Sequence, residues 1–83
     1  MRTEKEIEEQ TKKGLELSKE HPFSMFGTDN VKQYHVFLKV IERYRKNNNL
    51  DALEDFVYDA YEDDDLEHAS AVVSWLRGEE DIY

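Results

Sequence analysis

Apolar residues recur every three or four positions along most of this chain, with polar residues between them. Val31, Tyr34, Leu38 and Ile41 form one stripe at helical spacing, and Phe37, Val40 and Tyr44 form a second stripe beside it. An apolar face that wide predicts a central helix with two neighbours. Thr28, Asp29 and Asn30 are all good capping residues, so this helix is expected to start after Thr28 or Asp29 and to reach about Lys46. Arg43, Arg45 and Lys46 complement the dipole at its C-terminal end. Leu50, Leu53, Val57 and Ala60 predict a third helix over about 50–61, with Phe56 and Tyr61 at the edges of its apolar face. Leu66, Ala69, Val73 and Leu76 predict a fourth, with Val72 and Trp75 alongside. Asn47, Asn48 and Asn49 link the second helix to the third, and Asn tolerates left-handed backbone and caps either end. The run Glu62-Asp63-Asp64-Asp65 precedes the fourth helix. Asp64 or Asp65 is its expected cap, and Gly78 is its expected stop.

The pattern is thinner from Thr3 to Glu20, where Ile7, Leu15 and Leu17 are the main apolar residues. Thr3 and Glu6 form a capping-box pair. Glu4, Glu6, Glu8 and Glu9 near the start and Lys19 near the end suit the dipole. Glu8 with Lys12 and Glu9 with Lys13 are favourable pairs one turn apart. Gly14 costs about 1 kcal/mol relative to Ala in a helix interior. This helix is therefore expected to be the least stable, docking by one narrow face or fraying. His21-Pro22 ends it. Phe23, Met25 and Phe26 in the loop that follows are expected to fold back onto the core.

Together these elements predict one all-α domain over 1–83. It is a small bundle of three core helices within 28–78, with a looser N-terminal helix over 1–20 and a frayed tail over 79–83. The expected core is Val31, Tyr34, Leu38, Ile41, Leu53, Phe56, Val57, Ala60, Leu66, Ala69, Val73 and Leu76. A chain of 83 residues has room for one domain. Three Gly and one Pro are too few for a sheet of short strands. Trp75, five Tyr and four Phe favour folding over disorder. No apolar run approaches the roughly 20 residues a membrane span needs, and the charged start MRTEKEIEEQ does not read as a signal peptide. A soluble, cytoplasmic domain is expected.

Charge changes the picture more than composition does. The net charge is −9, from 20 acidic and 11 basic residues. Residues 1–46 carry +2, whereas residues 47–83 carry −11, with Arg77 their only basic residue. The second half calls for solvent screening or a positive partner. Asp55, Tyr58, Asp59, Glu62, Asp63, Asp64, Asp65 and Glu67 are the candidate partner-binding residues. Tyr58 lies off the apolar stripe and is the exposed aromatic candidate. Tyr61 and Trp75 are interface candidates as well, although Trp75 sits beside the Val72, Val73 and Leu76 stripe, where the core would claim it. With Asp51 and Glu54, the carboxylates of this half form a set able to imitate a phosphate backbone. The plainer alternative is an acidic surface kept for solubility.

Other chemistry finds little support. The chain has no Cys, hence no disulfide and no thiolate zinc site. The acidic run lacks the alternating ligands and the Gly of a calcium loop and reads as a solvated helix start. His21, His35 and His68 are far apart. Asp64 lies one turn before His68 and is placed to raise its pKa by attraction, although an ordinary surface pair is the simpler reading. Ser18, Ser24, Ser70 and Ser74 lack a nucleophile elbow, and the isolated glycines form no phosphate loop. No enzymatic activity, cofactor or metal is expected. The net charge opposes direct nucleic-acid binding, and Arg43-Tyr44-Arg45-Lys46 reads as a helix C-terminus.

Three stretches carry a resemblance. They are Ser24-Met25-Phe26-Gly27-Thr28-Asp29-Asn30, the pair Tyr58 and Tyr61 before the acidic gap, and Ala69, Ala71 and Trp75-Leu76-Arg77-Gly78-Glu79. Over residues 21–80 the chain resembles small acidic uncharacterised proteins of bacteria, phages and plasmids. The resemblance implies a compact helical protein of the bacterial cytoplasm or of a mobile element, and it brings no activity or site residue with it. The expected function is a non-enzymatic module that binds a protein with a basic surface through its acidic second half. The alternatives are a DNA mimic that inhibits a nucleic-acid-binding protein, and a structural homodimer that buries Phe23, Met25, Phe26 and the first helix between subunits.

Overall fold

The computed structural model describes residues 2–23 and 29–79. It holds four helices: α1 (Glu4–Glu20), α2 (Asn30–Asn47), α3 (Leu50–Ala60) and α4 (Asp63–Leu76). Among the described residues there is no strand, only an isolated antiparallel bridge between Phe23 and Asp29. The all-α bundle predicted from the apolar pattern is the architecture observed. Helix α2 is its centre and packs against α1, α3 and α4, while α3 and α4 also pack against each other.

Local chemistry sets most helix ends. Thr3 and Glu6 form the predicted capping box, with the Thr3 hydroxyl accepting from the Glu6 N–H and the Glu6 carboxylate accepting from the Thr3 N–H. Asp29 caps α2 by accepting from the Lys32 N–H at 2.9 Å. Thr28, the other candidate, lies outside the described residues. Asn48 ends α2 in left-handed geometry at φ 49°. Asn49 then caps α3, accepting from the N–H groups of Asp51 and Ala52. Gly78, at φ 89°, follows α4 as expected of a stop residue.

The start of α4 differs from expectation. Glu62 occupies the cap position without a side-chain cap bond, and Asp64 and Asp65 already lie in the first turn. The chain reverses between α3 and α4 within a very short connection, and Asp63 absorbs the reversal at φ 54°. That geometry favours residues without a Cβ. Glycine at position 63 is accordingly expected to be more stable than alanine there by about 1 kcal/mol, the reverse of the ordinary helical order. Urea denaturation of Asp63→Gly and Asp63→Ala measures this, and an alanine variant of equal or greater stability contradicts it.

The core is Ile7, Val36, Phe37, Val40, Ile41, Tyr44, Leu53, Val57, Ala69, Val72, Val73, Trp75 and Leu76. On α2 the second apolar stripe is buried, together with Ile41 of the first stripe and Val36, which belongs to neither. Val31 is exposed, and Tyr34 and Leu38 are half-buried rather than central. The second stripe meets the well-filled faces of α3 and α4. Leu38 instead lies on the side of α1, whose few apolar residues cover it incompletely. Ala60 is exposed because it is the last residue of α3. Phe56 and Leu66 pack at the margin of the core. The Arg43 guanidinium lies 4.6 Å from the centre of the Phe56 ring, an attractive arrangement for a cation over an aromatic face. Trp75 is a core residue, edge-on to Phe37 with ring centres 5.8 Å apart.

Helix α1 docks by a narrow face, with Ile7 and Gly14 buried and Leu15 exposed. Its start is tied to the end of α4 through Arg2. The Arg2 Nε donates to the Trp75 carbonyl at 2.8 Å, its backbone N–H donates to the Leu76 carbonyl, and its guanidinium covers the Trp75 ring. At the far end, the Asn30 side-chain amide donates to the His21 carbonyl at 2.6 Å. Phe23 is 68% exposed and does not fold back onto the core. Met25 and Phe26, like residues 80–83 of the tail, lie outside the described residues.

Candidate protein-binding face

Helix α3 turns Leu53 and Val57 into the core. A rotation of about 100° per residue then carries Asp51, Asp55, Tyr58 and Asp59 to the opposite side, where all are exposed. Tyr58 is 58% exposed, the most exposed large apolar side chain of the bundle helices. Glu62, Asp63 and Asp64 continue the acidic surface across the α3–α4 turn, and Glu67 extends it into α4, all of them exposed. Among the described residues, no cation is in ion-pair reach of Asp55, Asp59, Glu62, Asp63, Asp64 or Glu67.

Asp65, Asp51 and Glu54 are already engaged. Asp65 faces α2, where the Lys32 ammonium meets it at 3.2 Å, so it does not belong to the open face. Arg77 bridges Asp51 at 3.2 Å and Glu54 at 3.1 Å. The candidate face thus reduces to Asp55, Tyr58, Asp59, Glu62, Asp63, Asp64 and Glu67. Lys32, Tyr61, Glu62, Asp63, Asp64 and Asp65 surround an open hollow of about 440 Å³. Burial raises the Tyr61 phenol above its ordinary pKa, and the charge of Asp65 adds to the effect. Among the described residues, no group of three or more His, Asp or Glu side chains is placed to hold a metal ion. No helix among them is long and apolar enough to cross a membrane.

His68 corrects a sequence expectation. It faces α2, with Nε2 3.2 Å from the Gln33 carbonyl oxygen, rather than forming a surface pair with Asp64. Burial pushes its pKa below the ordinary 6.5, while the Gln33 carbonyl and the charge of Asp65 pull it partly back. A base whose pKa falls on folding binds its proton more readily in the unfolded chain. Its contribution to stability is complete above the unfolded pKa and is lost as pH falls from about 6.5 through the folded value. The difference in stability between the wild type and His68→Gln is therefore expected to shrink between about pH 7 and pH 5. Urea midpoints across that range measure it, and a constant difference contradicts it.

No protein-family model matches this chain, and neither a curated protein nor a solved structure shows significant similarity to it.

Proposed function

We propose that this protein is a non-enzymatic, acidic protein-binding module of the bacterial cytoplasm, and that its partner presents a basic surface to α3 and the α3–α4 turn. The observation that carries this reading is the set Asp55, Asp59, Glu62, Asp63, Asp64 and Glu67, which lies beside the exposed Tyr58 with no cation in ion-pair reach among the described residues. Carboxylates with no other task steer a basic partner, and tyrosine is among the residues most effective as an interface anchor.

Charge density favours a protein adaptor over DNA mimicry. Duplex DNA carries one charge per about 1.7 Å of its axis. Helix α3, with 11 residues, is about 16 Å long, a length over which the two strands of a duplex together carry roughly ten charges, about half of them on one face. The outward face of α3 offers Asp51, Asp55 and Asp59, and Asp51 is shared with Arg77.

The test is capture from a bacterial lysate at low salt, with wild type compared against the combined variant Asp55→Asn, Asp59→Asn, Asp63→Asn and Asp64→Asn. A basic protein retained only by the wild type, and released as salt rises through the physiological range where the screening length is about 8 Å, is the expected result. Equal capture by both proteins contradicts the reading. Competition by duplex DNA for the captured protein would favour the mimic instead.

A further inference from the structure

A hollow of about 430 Å³ lies between α3 and α4. Tyr58, Ser70 and Ser74 line it, together with Glu54, Glu79 and Arg77. Val57 and Val73 beneath it are buried and give it little apolar surface, so polar groups decide what enters. Helical hydroxyls elsewhere in the protein are spent on their own backbone. Thr11 donates to the Ile7 carbonyl at 2.7 Å and Ser18 to the Leu15 carbonyl at 2.8 Å, the common habit of these side chains in helices. Ser70 and Ser74 lie one turn apart and are half-buried. Yet neither of their hydroxyls, nor that of Tyr58, has a hydrogen-bond partner among the described residues. Three hydroxyl oxygens at one hollow therefore keep their full acceptor capacity. Charge narrows the ligand further. Arg77 is spent on Asp51 at 3.2 Å and Glu54 at 3.1 Å, while Glu79 has no ion pair among the described residues. Three carboxylates against one guanidinium leave a negative surplus, which repels an anion and favours a cation.

We infer that this hollow takes the guanidinium group of an arginine presented by the basic partner. The inference rests on the acidic face being a binding surface, and it names the group of the partner that anchors there. The hollow adjoins that face. Tyr58 belongs to both, and Glu67 precedes Ser70 by one turn on the same side of α4. A guanidinium carries five N–H donors in a planar fork, so it needs several acceptors spread around it. The three hydroxyl oxygens and the carboxylates of Glu54 and Glu79 supply them, and the ring of Tyr58 adds its attraction for a cation. A lysine ammonium is a compact and more strongly hydrated point charge, which uses such a spread of acceptors less well.

Backbone amide shifts of isotope-labelled protein, titrated with acetyl-arginine-amide, test this. Acetyl-lysine-amide and the uncharged acetyl-citrulline-amide are titrated in parallel. The arginine derivative is expected to produce saturable shifts at Ser70, Ser74 and Arg77 and along residues 54–58. The lysine derivative should bind more weakly, and the citrulline derivative should leave these amides unmoved. The combined variant Ser70→Ala and Ser74→Ala should weaken the arginine derivative by about tenfold, the scale of losing a hydrogen bond to a charged group. Alanine is the stronger helix former, and circular dichroism checks that the variant keeps its helices. The comparison of three ligands on the wild type needs no variant. Absence of saturable shifts, equal binding of the lysine or citrulline derivative, or unchanged affinity in the variant would overturn the inference. Salt-sensitive capture of a basic protein, with no arginine-dependent shift at Ser70 and Ser74, would overturn the anchor and keep the acidic-face reading. Saturable arginine shifts with no protein captured would keep the guanidinium site and overturn that reading.

Discussion

Phe37→Ala is expected to destabilise the domain by about 3–5 kcal/mol. Phe37 has no exposed surface and meets Trp75 edge-on from the middle of α2. The truncation removes the apolar transfer term, the ring–ring contact and the packing around both. The neighbours cannot all move into the space, because Val40, Val57 and Val72 are themselves fully buried on separate helices. A domain of this size holds about 5–10 kcal/mol in total, so the variant is expected to lie near its unfolding midpoint without denaturant. Urea denaturation followed by circular dichroism reads the loss directly. A loss under about 1 kcal/mol would mean that Phe37 is not at the centre of the core.

Ile7→Ala is expected to cost about 2–5 kcal/mol, and the loss should fall unevenly. Ile7 is 1% exposed and is the buried apolar side chain of α1. Elements held by few apolar contacts open below the global free energy. Hydrogen exchange should therefore accelerate across Glu4–Glu20 while α2, α3 and α4 keep most of their protection. Uniform acceleration would mean that α1 unfolds only with the whole domain, and unchanged exchange would mean that Ile7 does not hold it.

Features governed by neighbouring residues were legible in the sequence. The Thr3–Glu6 box, the Asp29 cap and the Asn48–Asn49 junction each rest on hydrogen bonds within a turn. The buried face of α2 was not legible, because both of its stripes are apolar and the choice depended on which neighbour covers which. The acidic character of the site could be read from charge counts and the exposure of Tyr58 from helical phase. The removal of Asp65 from the face could not, since Lys32 reaches it from another helix. Arg77 likewise selects Asp51 and Glu54 from across the α3–α4 interface. His68 was misjudged for the same reason: Asp64 is near in sequence, but rotation about α4 turns the ring toward Gln33. Phase along one helix is a local property, whereas the partner of a long side chain is a property of the packed bundle.

In the proposed function the acidic face, and not the bundle as a whole, makes contact with the partner. Backbone amide shifts of isotope-labelled protein, recorded as the captured basic protein is added, test it most directly. Perturbations are expected to concentrate at residues 55–67 on the outward side of α3 and the start of α4, and to fade as salt is raised. Perturbations spread evenly over all four helices, or centred elsewhere and indifferent to salt, would contradict it.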